Sequence, residues 1–321
     1  MSTEQTKLNA LIIGAGKIGS DFDDLESQSV LTHAKAYETH PGFNLIGLVE
    51  NNKDVAKKAS DKWKKPTFVS IEESLENFKV DVVSLCVPDN LHFDFLEKIK
   101  KFNIKNGILE KPLVVSKEEL EKVSENNYFS ENNFVVNYSR RFVPEFVKIR
   151  EDIIAGKYGE FEVGNCWYGK GFVHNSSHII NLLLFFGLEI QESKALSHIT
   201  DYSEEDPSYS VLFTTAKNKN ITLNVMDSRK YKVFEIDLFF EKGRIRISND
   251  GFDVEIFIVK DDDVFSGYKK LFCEENIKTE LNKSLYNAVD NIYNLINNRA
   301  DNLSDVASAI KTQDIIFNLN K

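Results

Sequence analysis

The sequence predicts an α/β domain built on a parallel sheet, followed by an α+β domain with an open, mostly antiparallel sheet. Three observations carry this prediction. An apolar run at residues 10–13 delivers the pattern Gly14-Ala15-Gly16-Lys17-Ile18-Gly19 near the start of the chain. Apolar strand patterns then alternate with helical ones as far as about residue 138. Beyond about residue 160 the pattern changes to short alternating strands separated by hairpin signals.

The three glycines after the first strand have separate uses. Gly14 permits the tight turn, Gly16 lets the backbone approach a pyrophosphate, and Gly19 lets the next helix pack on the sheet, with Lys17 and Ile18 on the turn between them. Free N–H groups and the positive end of the helix dipole favour an anion there. The pattern therefore marks a dinucleotide site on an N-terminal Rossmann domain. Residues 43–50 supply a second apolar strand that ends in Glu50. A carboxylate there accepts hydrogen bonds from adenosine ribose hydroxyls and repels a 2′-phosphate, so Glu50 predicts NAD, with NADP as the alternative. Lys53 is the nearby cation that could soften this discrimination. Glu50 lies further from Gly19 than the roughly 20 residues expected. An insertion over 21–29 accounts for the excess, and its acids Asp21, Asp23, Asp24 and Glu26 read as a solvated loop.

Residues 53–64 read as helix, 66–69 as a short strand and 81–87 as an apolar strand of the parallel type. Pro88-Asp89-Asn90 breaks the chain before a helix over 91–102 and a short strand over 106–109, which ends at Glu110-Lys111-Pro112. A helix over 117–126 and a strand over 134–137 complete the first domain, giving a division into 1–138 and 139–321. Ligands of open parallel sheets lie outside the carboxyl ends of the strands, so residues 14–19, Glu50, 87–92 (beginning with Val87 and Pro88) and 110–112 should converge. Lys111 stands at one such end. Read alone, it is either a surface lysine before a turn or a partly desolvated ammonium that passes a proton to or from a substrate hydroxyl.

The second half opens with a helix over 144–155, and residues 233–238 and 244–247 alternate as strands. Gly243 and Asn249-Asp250-Gly251 supply turns, while Leu281, Leu285, Ala288, Val289, Ile292 and Ile296 mark an amphipathic helix. A domain of this kind leaves one sheet face to be covered, which predicts a homodimer or homotetramer.

Composition narrows the function classes. At 321 residues the chain has room for two ordinary domains. A formal charge of −10, with no basic cluster interleaved with aromatics, argues against a nucleic-acid ligand. Cys86, Cys166 and Cys273 are widely spaced and read as reduced thiols, and the polar start of the chain lacks a signal-peptide core; both predict a cytoplasmic protein. The longest apolar stretch, 182–188, is too short to span a bilayer, so no membrane is expected.

Five segments carry a family resemblance: residues 14–19, Val87-Pro88-Asp89-Asn90-Leu91-His92, Glu110-Lys111-Pro112, Asn137-Tyr138-Ser139-Arg140-Arg141, and Gly171-Phe172-Val173-His174-Asn175-Ser176-Ser177-His178. In order and spacing the chain resembles the glucose-fructose oxidoreductase and inositol dehydrogenase family, Gfo/Idh/MocA. The resemblance implies a substrate-binding C-terminal domain, a substrate held between the two domains, and hydride transfer between NAD(P) and a secondary alcohol or ketone. The substrate class implied is a sugar, cyclitol or nucleotide-linked sugar. Lys111 and His178 match the family's proton-transfer and substrate-orienting groups. His92 matches a position that shapes the cofactor pocket, beside Glu110 of the Glu-Lys-Pro motif.

Two departures bear on mechanism. His174 stands where the family pattern has an aspartate, and Asn181 where a second is frequent. An imidazole cannot accept as a carboxylate does, so His174 is read as tuning a changed proton relay. The form His-Asn-Ser-Ser-His resembles a subgroup associated with surface-polysaccharide biosynthesis. Tyr168, Lys170 and Asn175 are candidate substrate hydrogen-bonders, and Arg140 or Arg141 candidate partners of a substrate phosphate or carboxylate. No metal is expected, because lysine and nicotinamide suffice for this chemistry. Two rival readings are a non-catalytic dinucleotide-binding regulator and a reductase of an imine, enal or linear tetrapyrrole.

Overall fold

The computed structural model describes residues 7–320; the polar start of the chain, residues 1–6, lies outside them. The chain divides into two units, Met1–Phe142 with Asn282–Ile310, and Val143–Leu281 with Lys311–Lys321.

In the first unit the order is β1 (Leu8–Ile13), α1 (His33–Thr39), β2 (Phe43–Val49), α2 (Lys53–Trp63), β3 (Thr67–Phe68), α3 (Ile71–Asn77), β4 (Val82–Leu85), α4 (His92–Lys101), β5 (Asn106–Leu109), α5 (Lys117–Ser124) and β6 (Asn133–Val136). The strands pair in parallel in the order β3-β2-β1-β4-β5-β6. This is the doubly wound order with a switch point between β1 and β4. Central strands are apolar because both faces are covered, as at Ala10 to Ile13, which have no exposed surface. The helices start where side chains cap free N–H groups. Asn52 accepts from the amides of Asp54 and Val55, Ser70 from that of Glu73, and Ser116 from that of Glu119.

The second unit contains α6 (Pro144–Ile154), β7 (Phe161–Tyr168), α7 (Ser177–Phe185), β8 (Ile190–Ile199), β9 (Ser208–Thr215), β10 (Asn220–Val225), β11 (Glu235–Phe240), β12 (Gly243–Ser248), β13 (Asp253–Asp261) and β14 (Lys269–Lys278). Its eight strands follow the order β14-β13-β12-β11-β7-β10-β9-β8, all antiparallel except the β7–β10 pair. Phe161, Cys166 and Tyr168 of β7 join the core that also buries α7.

The chain closes with α8 (Ser284–Ile296) and α9 (Val306–Phe317). The sequence placed the helix at 281–296 in a continuous second domain, and the structure differs. Leu285, Ala288, Val289 and Ile292 pack in one cluster with Ala34, Tyr37, Phe43 and Phe142 of the first unit. The amphipathic pattern was visible, but not which sheet its apolar stripe would cover.

Candidate functional site

The glycine loop shows a different steric reason at each glycine. Gly14 has φ +99°, and a Cβ on it would lie 2.6 Å from the Cys86 carbonyl carbon. A Cβ on Gly19 would lie 2.1 Å from the Gly14 carbonyl oxygen. Gly16 has nothing within 4 Å of that position, so its backbone faces open space. Beside it is a cleft of about 210 Å³ lined by residues that include Gly16, Lys17, Ser20, Lys58 and Lys62. Lys17 is exposed and Ile18 half-buried.

The helix expected directly after this loop is interrupted. Residues Lys17–Asp21 form one π-helical turn, and α1 begins only at His33. The side chains at the end of α2 satisfy the turn's carbonyls: Lys62 Nζ donates to Asp21 O at 3.0 Å and Asp23 O at 2.9 Å, and Trp63 Nε1 to Ser20 O at 2.9 Å. The intervening loop is not uniformly solvated, contrary to the sequence reading. Asp23 is buried and accepts from the Leu31 amide at 2.5 Å, the Thr32 amide at 3.0 Å and the Thr32 hydroxyl. It fastens the loop to the start of α1.

Glu50, after β2, turns back onto the glycine loop. One oxygen accepts from Ala15 N at 3.1 Å and the other from Asn52 N at 2.9 Å. At the end of β4, Val87 is half-buried and Pro88 exposed. His92 is buried, its Nδ1 donating to Pro112 O at 2.6 Å and its Nε2 lying 3.1 Å from Val87 O. The imidazole thus ties the end of β4 to the segment after β5.

At the end of β5, Glu110 accepts at Oε1 from His33 Nε2 at 2.9 Å and from Asn137 Nδ2 at 2.6 Å. His33 Nδ1 meets Ser84 Oγ at 2.8 Å, and Ser84 Oγ meets Tyr37 Oη at 2.8 Å. Burial would raise the Glu110 carboxyl, but the His33 hydrogen bond and charge, the Asn137 amide and the Lys111 ammonium outweigh it and hold it below the ordinary range. Glu110 was expected among the cofactor contacts. The structure directs its carboxylate inward instead, making it the anchor of the Glu-Lys-Pro segment. Lys111, next in the chain, is half-buried and precedes a cis peptide bond to Pro112. His33 was missed because nothing local in the sequence pairs it with Glu110. Arg141 is buried, with Nη1 donating to Leu303 O at 3.1 Å, whereas Arg140 is half-buried after β6.

In the second unit, β7 runs into a tight loop in which Lys170 has φ +74° and Gly171 φ +86°. A π-helical turn, Phe172–Ser176, leads into α7, whose Ile179, Ile180, Leu182 and Leu183 are fully buried. Two carboxylates hold this loop by its backbone. Asp201 accepts from Lys170 N at 2.7 Å, Ser228 N at 3.0 Å and Ser208 Oγ at 2.6 Å. Asp206 accepts from Val173 N at 2.8 Å and His174 N at 2.9 Å. Burial, working against those amides, pushes the Asp206 carboxyl above the usual carboxylate range.

His174 and His178 are half-buried on this loop and the first turn of α7. The His174 ring stacks on Tyr202 with centroids 4.8 Å apart and planes at 19°, and Lys170 Nζ lies 5.9 Å from the same ring. Tyr202, absent from the sequence candidates, is 47% exposed and therefore offers an aromatic face beside the histidine loop. One expected substrate contact, Tyr168, is turned away, and another, Asn175, is engaged in its own loop. Tyr168 is fully buried, its hydroxyl donating to Tyr209 O at 2.9 Å and accepting from Tyr209 N at 2.8 Å. Asn175 donates from Nδ2 to Gly169 O at 2.7 Å, closing its own loop.

Among the described residues, no group of three or more His, Cys, Asp or Glu side chains is arranged to hold a metal ion. The first unit fits a pyridine dinucleotide, through the open face of Gly16, the carboxylate after β2, and a buried Asn137 Oδ1 that has no hydrogen-bond partner among the described residues. Residues 8–138 match the sequence model of an oxidoreductase family with an NAD-binding Rossmann fold, GFO_IDH_MocA. The first unit is thus similar in sequence to the NAD-binding unit of the Gfo/Idh/MocA oxidoreductases. Curated relatives include the rhizopine catabolism protein MocA of Rhizobium meliloti, 26% identical over 162 residues, covering 50% of this chain and 47% of the relative. A scyllo-inositol 2-dehydrogenase (NAD(+)) of Bacillus subtilis is 27% identical over 175 residues, covering 53% and 45%. The chain thus spans about half the length of the curated relatives it matches. Among solved structures, UDP-N-acetylglucosamine 3-dehydrogenase from Acidithiobacillus ferrooxidans shares the fold with a TM-score of 0.75 at 16% identity, covering 98% of this chain and 96% of that one.

The match to an NAD-binding Rossmann fold identifies the first unit as NAD(P)-binding. In the second unit the imidazole of His174 is stacked on Tyr202, and the nearby carboxylates Asp201 and Asp206 grip backbone amides.

Proposed function

We propose that this chain is an NAD-dependent oxidoreductase that interconverts a secondary alcohol and a ketone on a sugar, cyclitol or nucleotide-linked sugar. The observation that carries the proposal is Lys111, half-buried at the carboxyl edge of the parallel sheet and adjacent to a Glu110 anchored by His33 and Asn137. When bound, nicotinamide supplies the hydride or takes it up. Lys111 gives a proton to, or takes one from, the substrate oxygen as the carbonyl and carbinol interconvert. Glu110, kept ionised, fixes the segment that carries Lys111. We assign His178 the orientation of the substrate hydroxyl. His174, Lys170 and Tyr202 form a stacking surface for a sugar face or a nucleotide base. That surface, the His-Asn-Ser-Ser-His form and a fold neighbour that acts on a UDP-linked sugar favour a nucleotide-linked sugar, as in surface-polysaccharide biosynthesis. We extend the reading to cytoplasmic self-association through the sheet of the second unit, measurable by light scattering.

The test has two steps. Mass spectrometry of small molecules released from denatured protein should find NAD(H). Lys111→Met should then lower turnover by about 10²–10⁴ on whichever of a panel of cyclitols, hexoses and UDP-hexoses the native protein converts, and change NAD⁺ affinity less than about threefold. Unchanged turnover removes Lys111 from the chemistry. No binding of either dinucleotide removes the proposal.

A further inference from the structure

Asn137 follows β6 as Glu110 follows β5. The two strands pair in parallel with Leu109 opposite Val136, and Asn137 N donates to Leu109 O at 2.8 Å, so the two side chains stand together at the carboxyl edge. Asn137 is 5% exposed. Its amide orientation is fixed by chemistry: Nδ2 lies 2.6 Å from Glu110 Oε1, a carboxylate oxygen that can only accept, and the flipped amide would set two acceptors against each other. Glu110 is in turn fixed by His33. Asn137 Oδ1 is therefore a rigidly aimed acceptor, and among the described residues no donor reaches it. Buried acceptors left in this state are rare and call for an explanation.

The position in the sheet supplies one. A doubly wound sheet has two mononucleotide-binding halves, and the glycine loop and Glu50 place the adenosine half over β1–β3. The other half, β4–β6, is the one that Glu110 and Asn137 terminate. The nicotinamide group carries a carboxamide, whose N–H₂ is a donor. We propose that Asn137 Oδ1 accepts a hydrogen bond from the nicotinamide carboxamide N–H₂, making Asn137 a cofactor-binding residue that sets the rotation of the ring. The inference rests on the reading of the first unit as a nicotinamide dinucleotide site.

Two dinucleotide analogues test it by calorimetry, without turnover. In 3-acetylpyridine adenine dinucleotide a methyl group replaces the carboxamide N–H₂; in thionicotinamide adenine dinucleotide sulfur replaces the carboxamide oxygen and the N–H₂ remains. Native protein should bind NAD⁺ and the thio analogue within about threefold of each other, and the acetyl analogue about tenfold more weakly. Asn137→Ala should bind NAD⁺ and the acetyl analogue within about twofold. Native protein that binds all three alike, or loses equal affinity for both analogues, overturns the inference; so does a folded Asn137→Ala variant that keeps the native discrimination. The analogue comparison on native protein decides the matter even if that variant does not fold. Failure to bind NAD⁺ and ADP-ribose at all instead sinks the dinucleotide reading, and this inference with it.

Discussion

Cofactor choice is a residue-scale property here. The two oxygens of Glu50 accept from Ala15 N and Asn52 N, which holds a negative charge after β2 against the glycine loop. A 2′-phosphate brought to that carboxylate meets a charge that cannot swing away. Glu50→Gln removes the charge and keeps the side-chain length. It should reduce the ratio of NAD⁺ to NADP⁺ affinity by about tenfold, or about 1.4 kcal/mol, in calorimetric titrations; a native protein that already prefers NADP⁺ contradicts the argument. Glu50 and Lys111 were legible because each follows a recognisable strand and stands in a short motif. His33 and Asn137 were not. Their roles come from contacts with Glu110 across 77 and 27 residues, respectively, and chain pattern carries no trace of which buried polar groups meet. Tyr202 was hidden for the same reason, since its stacking on His174 depends on two loops folding onto each other.

The glycine loop makes its own argument at the scale of an element. Gly19→Ala would set a methyl group 2.1 Å from a backbone oxygen, where no side-chain rotation relieves the clash. Gly16→Ala meets nothing within 4 Å and has φ −70°, which any residue adopts. The two substitutions should separate folding from binding. Gly19→Ala should cost about 2–3 kcal/mol and lower Tm by about 5–10 °C in scanning calorimetry. Gly16→Ala should keep Tm within about 1 °C and weaken NAD⁺ binding at least about tenfold, because the methyl group occupies the space a pyrophosphate needs. Equal loss of stability in both variants would refute this division of labour. The motif foretold the turn but not the helix that follows it. Burial of Asp23 against Thr32 and the grip of Lys62 and Trp63 on the turn's carbonyls stabilise a single π turn and postpone α1 to His33. A run of acids looks solvated until one of them finds buried amides to cap.

At the scale of the whole molecule, two predictions follow from where ionised and apolar groups are buried. Glu110 titrates below its unfolded value of about 4.3, so between the two values the unfolded chain binds more protons, and stability rises with pH across that window. Asp201 in the second unit, its burial outweighed by the Ser208 hydroxyl and the Lys170 and Ser228 amides, acts in the same direction. Asp206, raised by burial, acts oppositely, its contribution falling as pH rises from about 3.9 through its folded value. Urea unfolding of Glu110→Gln should accordingly show a flatter dependence below about pH 4.5 than the native chain; an identical slope would show that Glu110 does not carry acid sensitivity. The apolar prediction concerns the domain boundary. The division at 138/139 came from a change of strand pattern, which marks where the parallel sheet ends but not what covers it. Leu285, Val289 and Ile292 of α8 are buried in the first unit's core, and at about 1.5–3 kcal/mol each they contribute roughly 5–9 kcal/mol. That equals most of the stability of an ordinary domain, about 5–15 kcal/mol. A fragment ending at residue 142 should therefore fail to unfold cooperatively and should bind a hydrophobic dye, whereas the same fragment joined through a flexible linker to residues 282–310 should regain a sharp thermal transition. Cooperative unfolding of the shorter fragment would show that the sheet and its five preceding helices suffice, and that α8 only decorates them.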